Sequence, residues 1–272
     1  QLPIELIAID EAHVMSQWGH DFRPSYLNIL PLLSQISGQP AVLGLTATAT
    51  DRVRQNLQQL LGVADEDTVL TGFARDNLAL KIAHQVDKRQ YVQDYLRANQ
   101  GKSGIIYAAT RKQVDELYTS LNKQGMKVGR YHAGLPEKER QAMQEAFLYD
   151  EVEVMIATNA FGMGINKPDV RFVIHYAVPG NIEAYYQEIG RAGRDGLPSE
   201  ALLLYAPQDI HLQEFFVQKS EGTEAYKQNE YNKIREMNAF ANTGTCLPRY
   251  LLAYFGEVVA KVCGNAFNCG LL

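Results

Sequence analysis

The chain has 272 residues, 46% hydrophobic and 21% charged, which excludes a disordered or fibrous protein and leaves an ordinary globular one with a real core. No apolar run approaches the roughly 18–20 residues of a membrane span, the N-terminus lacks a signal-peptide pattern, and three cysteines, all after residue 245, argue against a secreted disulfide framework and for a reducing compartment. A net charge of −5 means that any contact with nucleic acid must rest on local basic and aromatic patches, not on the overall field.

In chain order, the expected strands are "LIAID" (6–10), "VLGLT" (42–46), "GIIYA" (104–108), "VEVMIAT" (152–158), "FVIHY" (172–176) and "ALLLY" (201–205). Between them lie amphipathic stretches such as "DRVRQNLQQLLG" (51–62), "RKQVDELYTSLNKQG" (111–125) and "LPEKERQAMQEAFLYD" (135–150). Strands that are apolar throughout, alternating with helices, point to an α/β fold with a parallel sheet covered on both faces. A boundary is expected near "TGFARDN" (71–77), giving domains at 1–72 and 73–207; residues 208–272 have no strand run and read as a helical tail. Only two strands precede the boundary, and the chain opens on "QLPIELIAID" without an initiator Met, so it reads as a piece of something longer.

Polar clusters follow the strands. "DEAH" (10–13) follows the first, "TAT" (46–48) closes the second and "TNAFGMG" (158–164) follows the fourth. Ligands of open α/β sheets bind outside the carboxyl ends of strands, so these sets are expected to converge. A bare Asp-Glu pair is more often a solvated turn. At a strand end, though, Asp10 suits Mg²⁺, which takes one or two carboxylates beside phosphate oxygens, and Glu11 suits the attacking water.

The loop "SQWGHDFRPSY" (16–26) has no helical or strand period, with Gly19 and Pro24 as breakers. It is either folded back on the core by its aromatics or a stacking platform for unpaired bases. In the second case Trp18, His20, Phe22 and Tyr26 offer rings and Arg23 reaches a phosphate. In "NIEAYYQEIGRAGRDGLP" (181–198), Asn181 reads as the N-cap of a helix running to Ile189. Gly190, Gly193 and Gly196 then turn the backbone and bring Arg191 and Arg194 together. "QGKSG" (100–104) is a decoy: a P-loop would need glycine at position 96, which is Leu96, and a helix afterwards.

Taken together, "DEAH", the aromatic loop, "GLTATAT" (44–50), "GIIYAATR" (104–111), "YHAGL" (131–135), "VMIATNAFGMGINKPDVRFVIHY" (154–176) and "YYQEIGRAGRDG" (185–196) resemble the RecQ family of superfamily-two helicases over nearly the whole chain. The resemblance implies two RecA-like lobes, the first partial, followed by a small helical zinc-binding region. It implies ATP, Mg²⁺ and 3′→5′ unwinding of duplex DNA in repair and recombination. Asp10, Glu11, His13, Arg191 and Arg194 would be catalytic, Arg194 as the arginine finger. Thr46, Thr48, Asp169 and Gln187 would serve the nucleotide. Arg111, Thr158 and Asn159 would join the aromatic loop on single-stranded DNA and duplex junctions. The setting would be bacterial cytoplasm or a nucleus, and no membrane is involved.

Two departures bear on this. No P-loop is present, so the polypeptide alone is expected not to hydrolyse ATP; the rival reading is a nucleic-acid-binding or regulatory module without a motor. Against the family's "CGNCxNC", the chain supplies Cys246, Cys263 and Cys269, with Ala266 where a fourth thiolate belongs, so either three thiolates hold zinc more weakly with water or a neighbour as the fourth ligand, or the three are ordinary small buried residues. An RNA helicase is disfavoured by the aromatic loop and the cysteine tail.

Overall fold

A computed structural model describes residues 4–16, 18–19, 23–36, 38, 40–162 and 165–257. The chain divides into two units. One takes the described residues up to Ala74 together with those from Leu251 onward; the other takes 75–250. No described helix is long and apolar enough to cross a membrane.

In the first unit, β1 (Leu6–Ile9) pairs in parallel with β2 (Ala41–Gly44), Leu6 opposite Ala41 and Ile9 opposite Gly44. Helix α1 (Ile29–Leu33) precedes β2, and α2 (Asp51–Leu61) follows it. The hydroxyl of Thr50 accepts a bond from the Val53 amide to start α2, and Gly62 at φ 66° ends it. Ile9, Ala12, Met15, Val53 and Leu57 form the core. Leu6, Leu43 and Leu45 remain at the surface. The aromatic stretch is more regular than its sequence indicates. Pro24 begins a 3₁₀ turn, Pro24–Asn28, that carries Tyr26, because a proline's fixed φ and missing N–H suit a first helical position.

In the second unit, β3 (Leu78–His84), β4 (Gly104–Tyr107), β5 (Val128–Tyr131), β6 (Val154–Ala157), β7 (Phe172–His175) and β8 (Ser199–Tyr205) form a parallel sheet in the order β3-β8-β7-β4-β6-β5. The four central strands are the apolar runs of the sequence. β3 and β5, which lack such runs, are the two edges. Lys81, Gly129 and Arg130 are tolerated there because an edge is covered less than a central strand. Helices α3 (Lys88–Ala98) and α4 (Arg111–Asn122) bury Val92, Leu96, Val114, Leu117 and Leu121 with Ile106, Ile156 and Ile174 of the sheet. Also in this unit are α5 (Glu137–Leu148) and α6 (Ile182–Ile189), then α7 (Pro207–Lys219) and α8 (Glu224–Ala241), while α9 (Leu247–Tyr254) contains the boundary between the units. The decoy "QGKSG" is a turn with Gly101 at φ 77°, directly before β4.

Candidate nucleotide and nucleic-acid site

In the first unit, β1 ends one residue before Asp10. The ladder continues past the strand ends, with the Leu45 amide donating to Ile9 O at 2.9 Å and the Ala12 amide to Leu45 O at 2.8 Å. This sets "DEAH" beside "TAT". Asp10 is exposed, and its Oδ1 accepts the Glu11 amide at 2.9 Å. Glu11 sits in the left-handed region, φ 50° and ψ 40°, where side chains other than glycine's are uncommon. His13 is 2% exposed. Its Nδ1 lies 3.3 Å from Glu11 Oε2 and 3.0 Å from Thr46 Oγ1. Thr46 Oγ1 in turn accepts the amide of the buried Thr48 at 3.3 Å. Four of the sequence-selected residues, Glu11, His13, Thr46 and Thr48, thus form one connected polar chain.

In the aromatic stretch, Trp18 and Tyr26 pack partly against the core while Arg23 is exposed. His20 and Phe22 lie outside the described residues, as do Cys263 and Cys269. Cys246 is buried beside the start of α9.

In the second unit the arginine segment meets the segment after β6. Asn181 caps α6 as expected, its Oδ1 accepting the Ala184 amide at 2.7 Å. Arg191 donates to Gly162 O, and Arg194 donates to Ile165 O at 3.1 Å. Gly162 has φ 134°, and a Cβ there would fall 2.2 Å from the Arg191 guanidinium carbon. Partial desolvation, then the nearby charges of Arg191 and Arg75, hold the Arg194 guanidinium below its ordinary pKa. Of the three glycines, Gly193 and Gly196 adopt positive φ, 62° and 81°. Gly190 does not make a sharp turn: at φ −62° it continues the helical backbone, where its missing Cβ spares a tight approach to Tyr186 O.

Sequence reasoning missed the residues that hold this segment. Arg75 donates to Ala192 O at 2.8 Å and Gly193 O at 3.2 Å, and Asn77 donates to Gly193 O at 2.8 Å. Both lie in the stretch read only as a boundary. The Tyr107 hydroxyl donates to Phe161 O at 3.1 Å, and burial pushes its pKa up. His175 pairs with Glu188 at 2.7 Å, both buried. Gln187 is half-buried on α6.

Of the other selected residues, Arg111, Thr158 and Asn159 follow the carboxyl ends of β4 and β6, whereas Asp169 lies at the opposite end of the sheet, just before β7. Arg111 is exposed at the first position of α4, beside Gly134. Thr158 follows β6 and is buried; exposed Asn159 borders a cavity of about 420 Å³ together with Tyr107, His175 and Glu188. Asp169 lies 3.2 Å from Lys167 Nζ, which also pairs with Asp150 at 2.6 Å.

Comparison with known proteins bears on the family and the fold. Residues 87–196 match the helicase conserved C-terminal domain, and residues 207–270 match the RecQ zinc-binding region. The chain is 47% identical over 268 residues to an ATP-dependent DNA helicase RecQ of Bacillus subtilis, covering 98% of this chain and 45% of that protein. It is 41% identical to the RecQ of Pasteurella multocida, over 98% of this chain and 42% of the relative. It therefore spans less than half the length of these relatives. Among solved structures, Saccharomyces cerevisiae Dbp5 bound to RNA and ADP BeF3 superposes with a TM-score of 0.62 at 22% identity, covering 87% of this chain and 64% of that one, a likeness of fold alone. By its matched domains and its relatives, the chain belongs to the RecQ family of superfamily-two helicases.

Proposed function

We propose that these residues are part of an ATP-dependent DNA helicase that moves 3′→5′ on single-stranded DNA and opens duplex junctions in repair and recombination. The observation that carries this reading is the chain Glu11–His13–Thr46–Thr48, built around a residue held in an unfavourable backbone conformation. Strain of this kind persists where the surroundings impose it and clusters at functional sites.

Each group has a chemical task. Glu11 accepts the proton of the attacking water, or orients it, and buried His13 fixes the carboxylate from one side. Through Thr46, the same histidine ties Glu11 to the segment that starts α2. Asp10, exposed at a strand end, fits the one-carboxylate style in which Mg²⁺ is held, and that ion would neutralise phosphate charge. Arg191 and Arg194 supply fixed positive charge for the same hydrolytic step; an arginine in this role is worth roughly 10³–10⁵ in rate. Asp169 and Gln187 serve the nucleotide, while Trp18, Tyr26, Arg23, Arg111, Thr158 and Asn159 serve the DNA. Cys246, Cys263 and Cys269 are three thiolates suited to zinc, with the fourth ligand from water or a neighbour because position 266 is Ala.

The sequence contains no G-x-x-x-x-G-K-[ST] loop, so in this reading the 272 residues alone do not turn ATP over. The test is DNA-stimulated phosphate release by the chain and by a version extended to carry a P-loop. Turnover is expected only from the extended version, and there Glu11→Gln lowers kcat by about 10²–10⁴ while nucleotide still binds. Turnover by the chain itself that Glu11→Gln abolishes would refute the inactive-fragment reading.

A further inference from the structure

We infer that Arg52 is a positioning residue that parks Trp18 against helix α2 and yields its place to an unpaired nucleobase. This rests on the nucleic-acid reading above. The Arg52 guanidinium carbon lies 3.2 Å over the centre of the Trp18 ring. A flat cation stacked on an indole occupies the surface on which a base would stack.

The two partners differ in how firmly they are held. Trp18 is half-buried and packs against the cluster that contains Met15, Val53 and Leu57. Arg52 is exposed in the first turn of α2 and reaches the ring on a long, flexible stem. The guanidinium can leave for water while the ring stays seated. Exchange of a base for Arg52 is downhill, because base–aromatic stacking is the stronger of the two contacts at an exposed site.

A second contact fixes the loop to the same side of the helix. The Ser16 hydroxyl donates to Asn56 Oδ1 at 2.8 Å and accepts the Trp18 amide at 3.3 Å. Residues 52 and 56 are one helical turn apart, so they share a face. Helix α2 starts directly after the Thr46–Thr48 segment that meets His13 and, through it, Glu11. Arg52 therefore stands where occupancy of the aromatic loop is passed to the helix next to the hydrolytic residues.

The chain has a single tryptophan, so tryptophan emission reports the surroundings of Trp18. The whole chain is titrated with a fluorescein-labelled oligothymidine, reading anisotropy for affinity and Trp18 emission for the stack. Arg52→Ala and the charge-preserving Arg52→Lys are both expected to bind about two- to fivefold more tightly, the fold-change of one exposed cation–π contact. In the free variants, Trp18 emission should already be shifted in the direction that DNA produces in the wild type. Unchanged or weaker binding by both variants, or an unaltered free-state emission, overturns the parking role and leaves Arg52 as a surface or phosphate-contacting cation. Failure of every form, wild type included, to bind the oligonucleotide while circular dichroism shows folded protein overturns the nucleic-acid reading itself.

Discussion

Glu11 holds a backbone conformation that costs stability. Its left-handed backbone, φ 50°, suits glycine. Glu11→Gly is therefore expected to raise the free energy of unfolding by ~1 kcal/mol, seen as a higher urea midpoint, while removing the carboxylate that His13 contacts. An unchanged or lower midpoint would show that the site holds no strain. Gly162 presents the opposite case. At φ 134°, with the Arg191 guanidinium in the space a Cβ would fill, Gly162→Ala is expected to cost about 1–3 kcal/mol and to expel the arginine from Gly162 O. Thermal melts check the first effect and tryptic sensitivity after Arg191 the second. Asp195 provides a pH signature. Arg171 hydrogen-bonds its carboxylate and holds the pKa below the ordinary value of 3.8. Between the two pKa values the unfolded chain binds the proton and the folded one does not, so this stabilisation is complete above about pH 4 and fades as pH falls through the folded pKa. Asp195→Asn should flatten the acid limb of a stability-versus-pH curve; a limb of unchanged slope would assign acid sensitivity elsewhere.

At the scale of elements, the one helix cap named from the sequence, Asn181, is the one observed on α6, because a cap is a local event. Thr50, Asp87, Thr110 and Thr223, which the sequence reading did not single out, likewise accept an amide bond at a helix N-terminus. Asn181→Ala is expected to cost ~1 kcal/mol and to loosen α6, which carries Gln187 and leads to Arg191; hydrogen exchange of the Ala184 amide would report it. Protection that survives the substitution would show that packing of Ile182 and Tyr185, not the cap, holds the first turn. Central strands were legible for a different reason: burial on both faces demands continuous apolar sequence, as in "GIIY" and "VMIA". The edges, "LALKIAH" and "VGRY", were not legible, since an edge tolerates Lys81, Gly129 and Arg130. The 3₁₀ turn at Pro24 went unseen because its proline was taken as a breaker and not a starter. The polar chain at Glu11 was legible in residue type, although its left-handed turn was not. The roles of Arg52, Arg75 and Asn77 depend on partners distant in sequence, and no local pattern marks them.

At the scale of the whole molecule, the family assignment joins a helicase C-terminal domain to a RecQ zinc-binding region in one chain. With three cysteines and Ala266, zinc is expected to be bound but lost to a mild chelator. Ala266→Cys should slow that loss at least tenfold in a competition assay with a chromogenic chelator. Protein purified without chelator that contains no zinc by atomic absorption would show the site to be dead.

The central claim is that the Asp10–Glu11 acids and the Arg191–Arg194 cations act in one hydrolytic step. A double-mutant cycle in the extended, P-loop-bearing version tests it most directly, measuring DNA-stimulated kcat for Glu11→Gln, Arg194→Ala and the pair, with nucleotide affinity measured alongside. The account predicts that each single change lowers kcat by about 10²-fold or more at near-constant affinity, and that the pair costs little more than the worse single change. Wild-type turnover in Arg194→Ala, or losses that multiply in full, would contradict it.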